Sequence, residues 1–261
     1  MLTRVIAIVV IMAAMGANVI QQPAAPGGGP TCGAGASIAE DFDGATSGLN
    51  GCSAHTADNA VDCTITSAGT TTLDATSLSG DMYTGEEGHF ATTSSFDEGY
   101  GTLSLSGSEF TGYCFMRFSA IGVDTDTTDY HRSCGYGSTS GTLCVMGVQQ
   151  ISGTDEFVLF SAGTTVVDTF TPTIGTDYII EVHALENGAT DECDWRIWEC
   201  GTAGNIADCP STPTQTGSFS GAYNTDINAV FFGVQQSRNE PATAVSIGEV
   251  HVSTGSTWLC S

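Results

Sequence analysis

Apolar residues in this chain come in short runs, cut about every ten residues by Gly, Ser, Thr, Asn or Asp. Few windows repeat them at the three- and four-residue spacing of a helix, and the pattern is that of an all-β protein. The clearest strands fall in the second half. Residues 112–121 (GYCFMRFSAI) place Cys114, Met116, Phe118 and Ala120 on one face and Tyr113, Phe115 and Arg117 on the other. Residues 177–185 (DYIIEVHAL) alternate in the same way, with Ile180, Val182 and Ala184 opposite Ile179, Glu181, His183 and Leu185. In residues 193–200 (CDWRIWEC), Trp195 and Ile197 oppose Arg196 and Trp198. Further strands are predicted at 143–150, 156–161, 165–170, 227–234 and 244–252. The segments 156–161 and 165–170 read as a hairpin about Ala162-Gly163-Thr164. In 244–252 the apolar phase slips between Ile247 and Val250, which predicts a bulge near Gly248. The first half is polar and Thr-rich. Strands are expected at 36–42, 60–66, 71–78, 88–95 and 101–106, with weakly specified registers.

The expected fold is a two-sheet antiparallel β-sandwich, a jelly roll, stabilised by disulfides. Residues 1–17 have the layout of a secretory signal peptide: one arginine, an unbroken apolar run and small residues for cleavage. The run is shorter than the ~20 residues a membrane span needs, so no membrane insertion is expected once the leader is removed. Residues 18–31 form a Pro/Gly-rich linker, and residues 32–261 are read as one sandwich domain.

Ten cysteines behind such a leader imply an oxidising compartment, and hence a secreted or surface-displayed protein. Their pairing is not fixed by sequence. Cys32 and Cys260 bracket the domain, and sandwich ends often lie side by side. Cys134 and Cys144 flank a Gly/Ser-rich stretch that reads as a turn, so a hairpin staple is expected there. No C-x-x-C pair supports a structural zinc site.

The net charge is −24, with five arginines and no lysine. Nucleic acid is therefore not an expected partner, since binding it rests on Lys/Arg neutralising phosphates. The missing lysine also excludes a Walker A loop and Schiff-base chemistry. There is no G-x-S-x-G elbow and no H-E-x-x-H motif, and the five histidines are scattered singly.

Four segments together resemble the concanavalin A-like lectin/glucanase superfamily, and within it the laminin-G-like domains. They are Glu40-Asp41-Phe42-Asp43-Gly44, residues 112–121, residues 157–198, and Ile247-Gly248-Glu249-Val250-His251-Val252. The resemblance implies a jelly roll whose concave face often binds glycans and whose rim often holds calcium. Glycosidases of that superfamily often carry E-x-D-x-x-E on one strand. Glu192-Cys193-Asp194-Trp195-Arg196-Ile197 is the nearest match, and Ile197 stands where the last acid should be. No catalytic residues are expected on this pattern.

If their strands are neighbours, Glu181, His183, Arg196 and Trp198 share one face, joined by Tyr113 and Arg117 from the next strand. An aromatic ring with hydrogen-bonding groups around it suits a sugar. The plainer alternative is that Trp198 simply packs under a loop. Oxygen-rich turns give two calcium candidates: Asp124, Asp126 and Asp129 on one loop, and Glu40, Asp41, Asp43 and Glu249 where the end strands meet. Solvated acidic turns are the alternative for each. The expected function is a non-catalytic module that binds a glycan or a surface partner. The alternatives are a structural subunit of an extracellular particle, fibre or appendage, and a polysaccharide hydrolase or lyase.

Overall fold

The computed structural model describes residues 29–32, 36, 38–40, 62–66, 70–74, 87–91, 98–121, 130–138, 141–151, 154–161, 165–188, 190–221, 226–235 and 243–261. Among them the chain is nearly all strand, with one turn of 3-10 helix at Ile206–Asp208. The strands are β1 (Ile38–Glu40), β2 (Asp62–Thr66), β3 (Thr70–Asp74), β4 (Glu87–Ala91), β5 (Glu98–Ser104), β6 (Glu109–Ala120), β7 (Tyr130–Ser138) and β8 (Gly141–Ile151). They continue with β9 (Thr154–Ser161), β10 (Thr165–Phe170), β11 (Asp177–Leu185), β12 (Asp191–Gly201), β13 (Gln215–Gly221), β14 (Ala229–Gln235) and β15 (Ala244–Thr254).

Two antiparallel sheets result. Sheet A runs β13-β12-β11-β6-β15-β4-β3, with β1 also paired to β15; sheet B runs β10-β9-β8-β7-β14-β5-β2. The alternation read from sequence decides which residues face between the layers. On β6 these are Phe110, Cys114, Met116 and Phe118; on β11, Tyr178, Ile180, Val182 and Ala184; on β12, Cys193, Trp195 and Ile197. Val245, Ile247, Val250 and Val252 of β15 complete that face, and all of these side chains are buried. From sheet B come Cys134, Tyr136, Cys144, Met146, Val148, Phe157, Val230 and Phe232. The register between β15 and β6 slips between Ile247 and Glu249, the bulge predicted at Gly248.

The layers come into close contact at Gly112. A side chain there would put its Cβ 2.2 Å from the Tyr136 hydroxyl and 2.4 Å from the His251 carbonyl oxygen. Glycine is what lets the Tyr136 ring, stacked on Phe110, reach the backbone of the opposite sheet.

Cys32–Cys260 forms as expected, across 228 residues of sequence. The Cys134–Cys144 staple does not form. Residues 135–138 belong to β7, and the register sets Cys134 opposite Met146 and Tyr136 opposite Cys144. The two cysteines are thus diagonal neighbours with Cβ atoms ~7 Å apart, against the ~4 Å a disulfide requires. Both point between the sheets, where Cys134 bonds to Cys114 of β6 and Cys144 to Cys193 of β12. These two bonds stitch sheet A to sheet B. Cys200–Cys209 closes a short loop beyond β12. Among the described residues no helix is long and apolar enough to cross a membrane. The disulfides fit an extracellular protein.

Candidate functional site

The sequence placed its candidate residues on the face of sheet A that points away from sheet B. β6, β11 and β12 are neighbours, so these residues do stand together. Arg196, Glu181, Tyr113 and His251 form one row across β12, β11, β6 and β15. Asp194, His183 and Thr111 form the row beside it, and Trp198, Ile179, Phe115 and Glu249 the row on the other side.

This outer face is not open. The segment after β15, residues 255–261, folds back across it as a strap. Glu181, fully buried, receives the strap: its Oε1 accepts the backbone N–H of Cys260 at 3.0 Å and that of Leu259. Thr31, at the end of the expected linker, exchanges two backbone hydrogen bonds with Ser261, at 2.9 and 3.2 Å. Cys32–Cys260 then locks the strap in place. On this face Tyr113 is 2% exposed and Trp198 1%. Trp198 therefore packs inside the protein and offers no ring face to solvent.

Burial without full pairing shows in the chemistry of this floor. Glu181 Oε2, Trp198 Nε1 and His251 Nδ1 have no hydrogen-bond partner among the described residues. Burial raises the Glu181 carboxyl to a pKa of about 7, and the two strap N–H groups and Arg196 offset part of that rise. His251 stacks flat on Tyr113, with ring centres 5.0 Å apart, and its Nε2 meets Glu249 Oε2 at 2.7 Å.

Arg117 is a structural anchor. Its Nε donates to Asp177 Oδ1 at 2.6 Å and its Nη2 to the Thr202 carbonyl. Asp177 Oδ2 in turn accepts the Gly204 N–H at 2.7 Å. The pair fixes the loop that carries Cys209 into its bond with Cys200 at the end of β12.

The accessible part of this face is its rim, over β11 and β12. His183 lies between two carboxylates, with Nδ1 3.2 Å from Asp194 Oδ2 and Nε2 3.2 Å from Glu109 Oε1. Both contacts are hydrogen bonds only when both ring nitrogens carry protons, because ionised carboxylates only accept. Those carboxylates are about one-third exposed, 34% and 36%. The strap's Trp258, half-buried, covers the Arg196 guanidinium at 3.9 Å from the ring centre and meets the His183 ring edge-on at 6.1 Å. Sequence reasoning missed Trp258 because it lies in no strand. Its one signal is position: it stands two residues before Cys260, whose bond to Cys32 draws it over the sheet.

The acidic turn of Asp124, Asp126 and Asp129 lies outside the described residues, as do Asp41 and Asp43. β1 does pair with β15 at Glu40 and Val250, so the end strands adjoin. Among the described residues no three His, Cys, Asp or Glu side chains gather as metal ligands would.

No protein-family model matches the chain, and no curated protein sequence does. Several solved structures are loosely similar in strand arrangement. "Cellulose induced protein, Cip1" is 13% identical over 85% of this chain and 99% of its own, with a TM-score of 0.47. The catalytic domain of a glycoside hydrolase family 131 protein from Coprinopsis cinerea is 9% identical over 67% and 73%, with a TM-score of 0.44. An alginate lyase of polysaccharide lyase family 7, AlgAT5, is 8% identical over 66% and 80%, with a TM-score of 0.42.

Proposed function

We propose that this chain is an extracellular, non-catalytic glycan-binding module whose contact point is the rim around Trp258. The observation that carries this is the grouping of a partly exposed Trp258 with Arg196, His183, Asp194 and Glu109. An indole offers an apolar surface to the C–H face of a sugar ring, while carboxylates, imidazole and guanidinium hydrogen-bond its hydroxyls.

The non-catalytic reading is supported by the floor. A glycosidase needs two carboxyl groups facing its substrate, and the two at the rim, Asp194 and Glu109, are both turned onto His183. Glu181, the acid whose raised pKa would suit a proton donor, is sealed beneath the strap and already holds two backbone N–H groups. Calcium held by Asp124, Asp126 and Asp129 belongs to the same reading. A chelator should then lower the melting temperature, and an unchanged curve would remove the metal from the account.

The test is a glycan array followed by titration of the best ligand. Trp258→Ala should weaken binding at least tenfold while the melting curve stays close to wild type. Loss of binding from Trp198→Ala but not from Trp258→Ala would move the site away from the rim. Absence of binding to any glycan would reject the proposal.

A further inference from the structure

β13 is the edge of sheet A. It pairs with β12 from Gln215↔Ile197 to Gly221↔Asp191, and among the described residues no strand adjoins its other side. Edge strands are usually blunted by a charge, a proline or a bulge, since their free N–H and C=O groups template further pairing. The sequence of β13, QTGSFSG, has no charged residue and no proline, and its register with β12 is unbroken. In a chain of net charge −24, the strip itself adds no charge against a second copy, and the nearest carboxylates, Glu192 and Asp194, stand one strand away.

The strand also complements itself. In an antiparallel pair centred on Ser218, Ser218 faces Ser218 of the second copy, Thr216 faces Ser220, and Gly217 faces Phe219. Thr216, Ser218 and Ser220 are exposed and lie on the rim side, level with Arg196, Asp194 and Glu192. Gly217 and Phe219 lie on the core side. Trp195 lies against Gly217, so closely that a Cβ there would fall 2.0 Å from its ring. The arrangement sets each Phe219 opposite the Gly217 of the other copy, twice, and matches hydroxyls along the other face.

We propose that the chain forms a twofold dimer through antiparallel β13–β13 pairing, which joins the two copies of sheet A into one continuous sheet. The twofold axis runs perpendicular to the sheet at Ser218. Both rims therefore face the same way. This inference does not depend on the ligand of the rim.

Size-exclusion chromatography with light scattering tests it on the full chain. An interface built mainly of one strand pair is small, so self-association is expected at about 10–100 μM. Ser218→Asp brings two carboxylates together on the axis and should leave a folded monomer, with a melting temperature slightly lowered by the cross-strand Asp194. Register is tested by cysteine pairing under mild oxidation. Directly opposed residues have Cα atoms ~4.5–5.5 Å apart, within the ~4.4–6.8 Å a disulfide spans. Ser218→Cys should therefore give a covalent dimer. Ser220→Cys should not, because two copies of residue 220 lie ~14 Å apart along the strands. A wild type that stays monomeric throughout that range, a Ser218→Asp variant that still dimerises, or crosslinking at 220 in place of 218 would each overturn the proposal.

Discussion

The two faces of sheet A are built by the same alternation and are buried by different means. The inner face meets another sheet. It is mostly apolar, with the Tyr136 hydroxyl of the facing sheet unsatisfied among the described residues, and two disulfides tie it to its partner layer. The outer face is covered by the chain's own strap, and it keeps Glu181, His251 and Trp198 with polar atoms that no described residue satisfies. Burial alone therefore does not identify a core. A face buried by a matching sheet gains packing and gives up little. A face buried by seven residues of irregular chain retains polar groups, each costing about 1–3 kcal/mol when unpaired.

The largest effect should come from unstitching the inner face. Replacing Cys144 and Cys193 together by serine opens a loop of 49 residues and should cost about 4 kcal/mol in chain entropy. The melting temperature should fall by about 8–16 °C, which calorimetry would read. A loss as small as that of an exposed serine substitution would mean that packing alone holds the sheets.

On the outer face the corresponding signature is pH. The folded state raises the Glu181 pKa from 4.5 to about 7, so the native protein holds that proton over a range where the unfolded chain has released it. Stability from this group is therefore full below pH 4.5, falls as pH rises to about 7, and levels off above. The drop is about 3 kcal/mol. Melting curves from pH 4.5 to 8 should show it as a steady decline superimposed on the contributions of other groups. Glu181→Gln keeps an acceptor for the strap N–H groups and removes the titration. Its curve should be flatter than wild type, and at pH 8 it should be the more stable protein. Parallel pH profiles would place the buried charge elsewhere.

A smaller effect separates floor from rim. Trp258→Ala should reduce glycan affinity by about 1.4 kcal/mol, a factor of ten, as titration calorimetry would show. Smallest is Asp194→Asn. It removes the charge of one of two carboxylates facing His183, at a partly exposed position, and should change stability by less than about 1 kcal/mol. Thermal melts of the variant and the wild type should nearly coincide.

Strong alternation was legible residue by residue. β11 occupies 177–185 as predicted, and the faces of β6 and β12 are those assigned from parity. Two strands were not legible. β7 (YHRSCGYGS) reads as a turn because Gly135, Gly137 and the serines match turn chemistry, and that misreading produced the Cys134–Cys144 expectation. β13 carries one large apolar residue, Phe219, and so shows no period; β12 supplies the pairing that makes it a strand. The candidate face was found correctly as a face. That it lies under a strap was not readable, because covering depends on where the chain returns after its last strand. Only the Cys32–Cys260 expectation pointed that way.

That same bond has a mechanical consequence. Thr31 and Ser261 are held together by hydrogen bonds beside it, so tension applied through both ends of the domain enters and leaves at one place. The load would travel through two sulfur atoms and never cross either sheet. Pulled in this way, the domain should behave as an inextensible link, yielding no unfolding length until the bond itself is reduced.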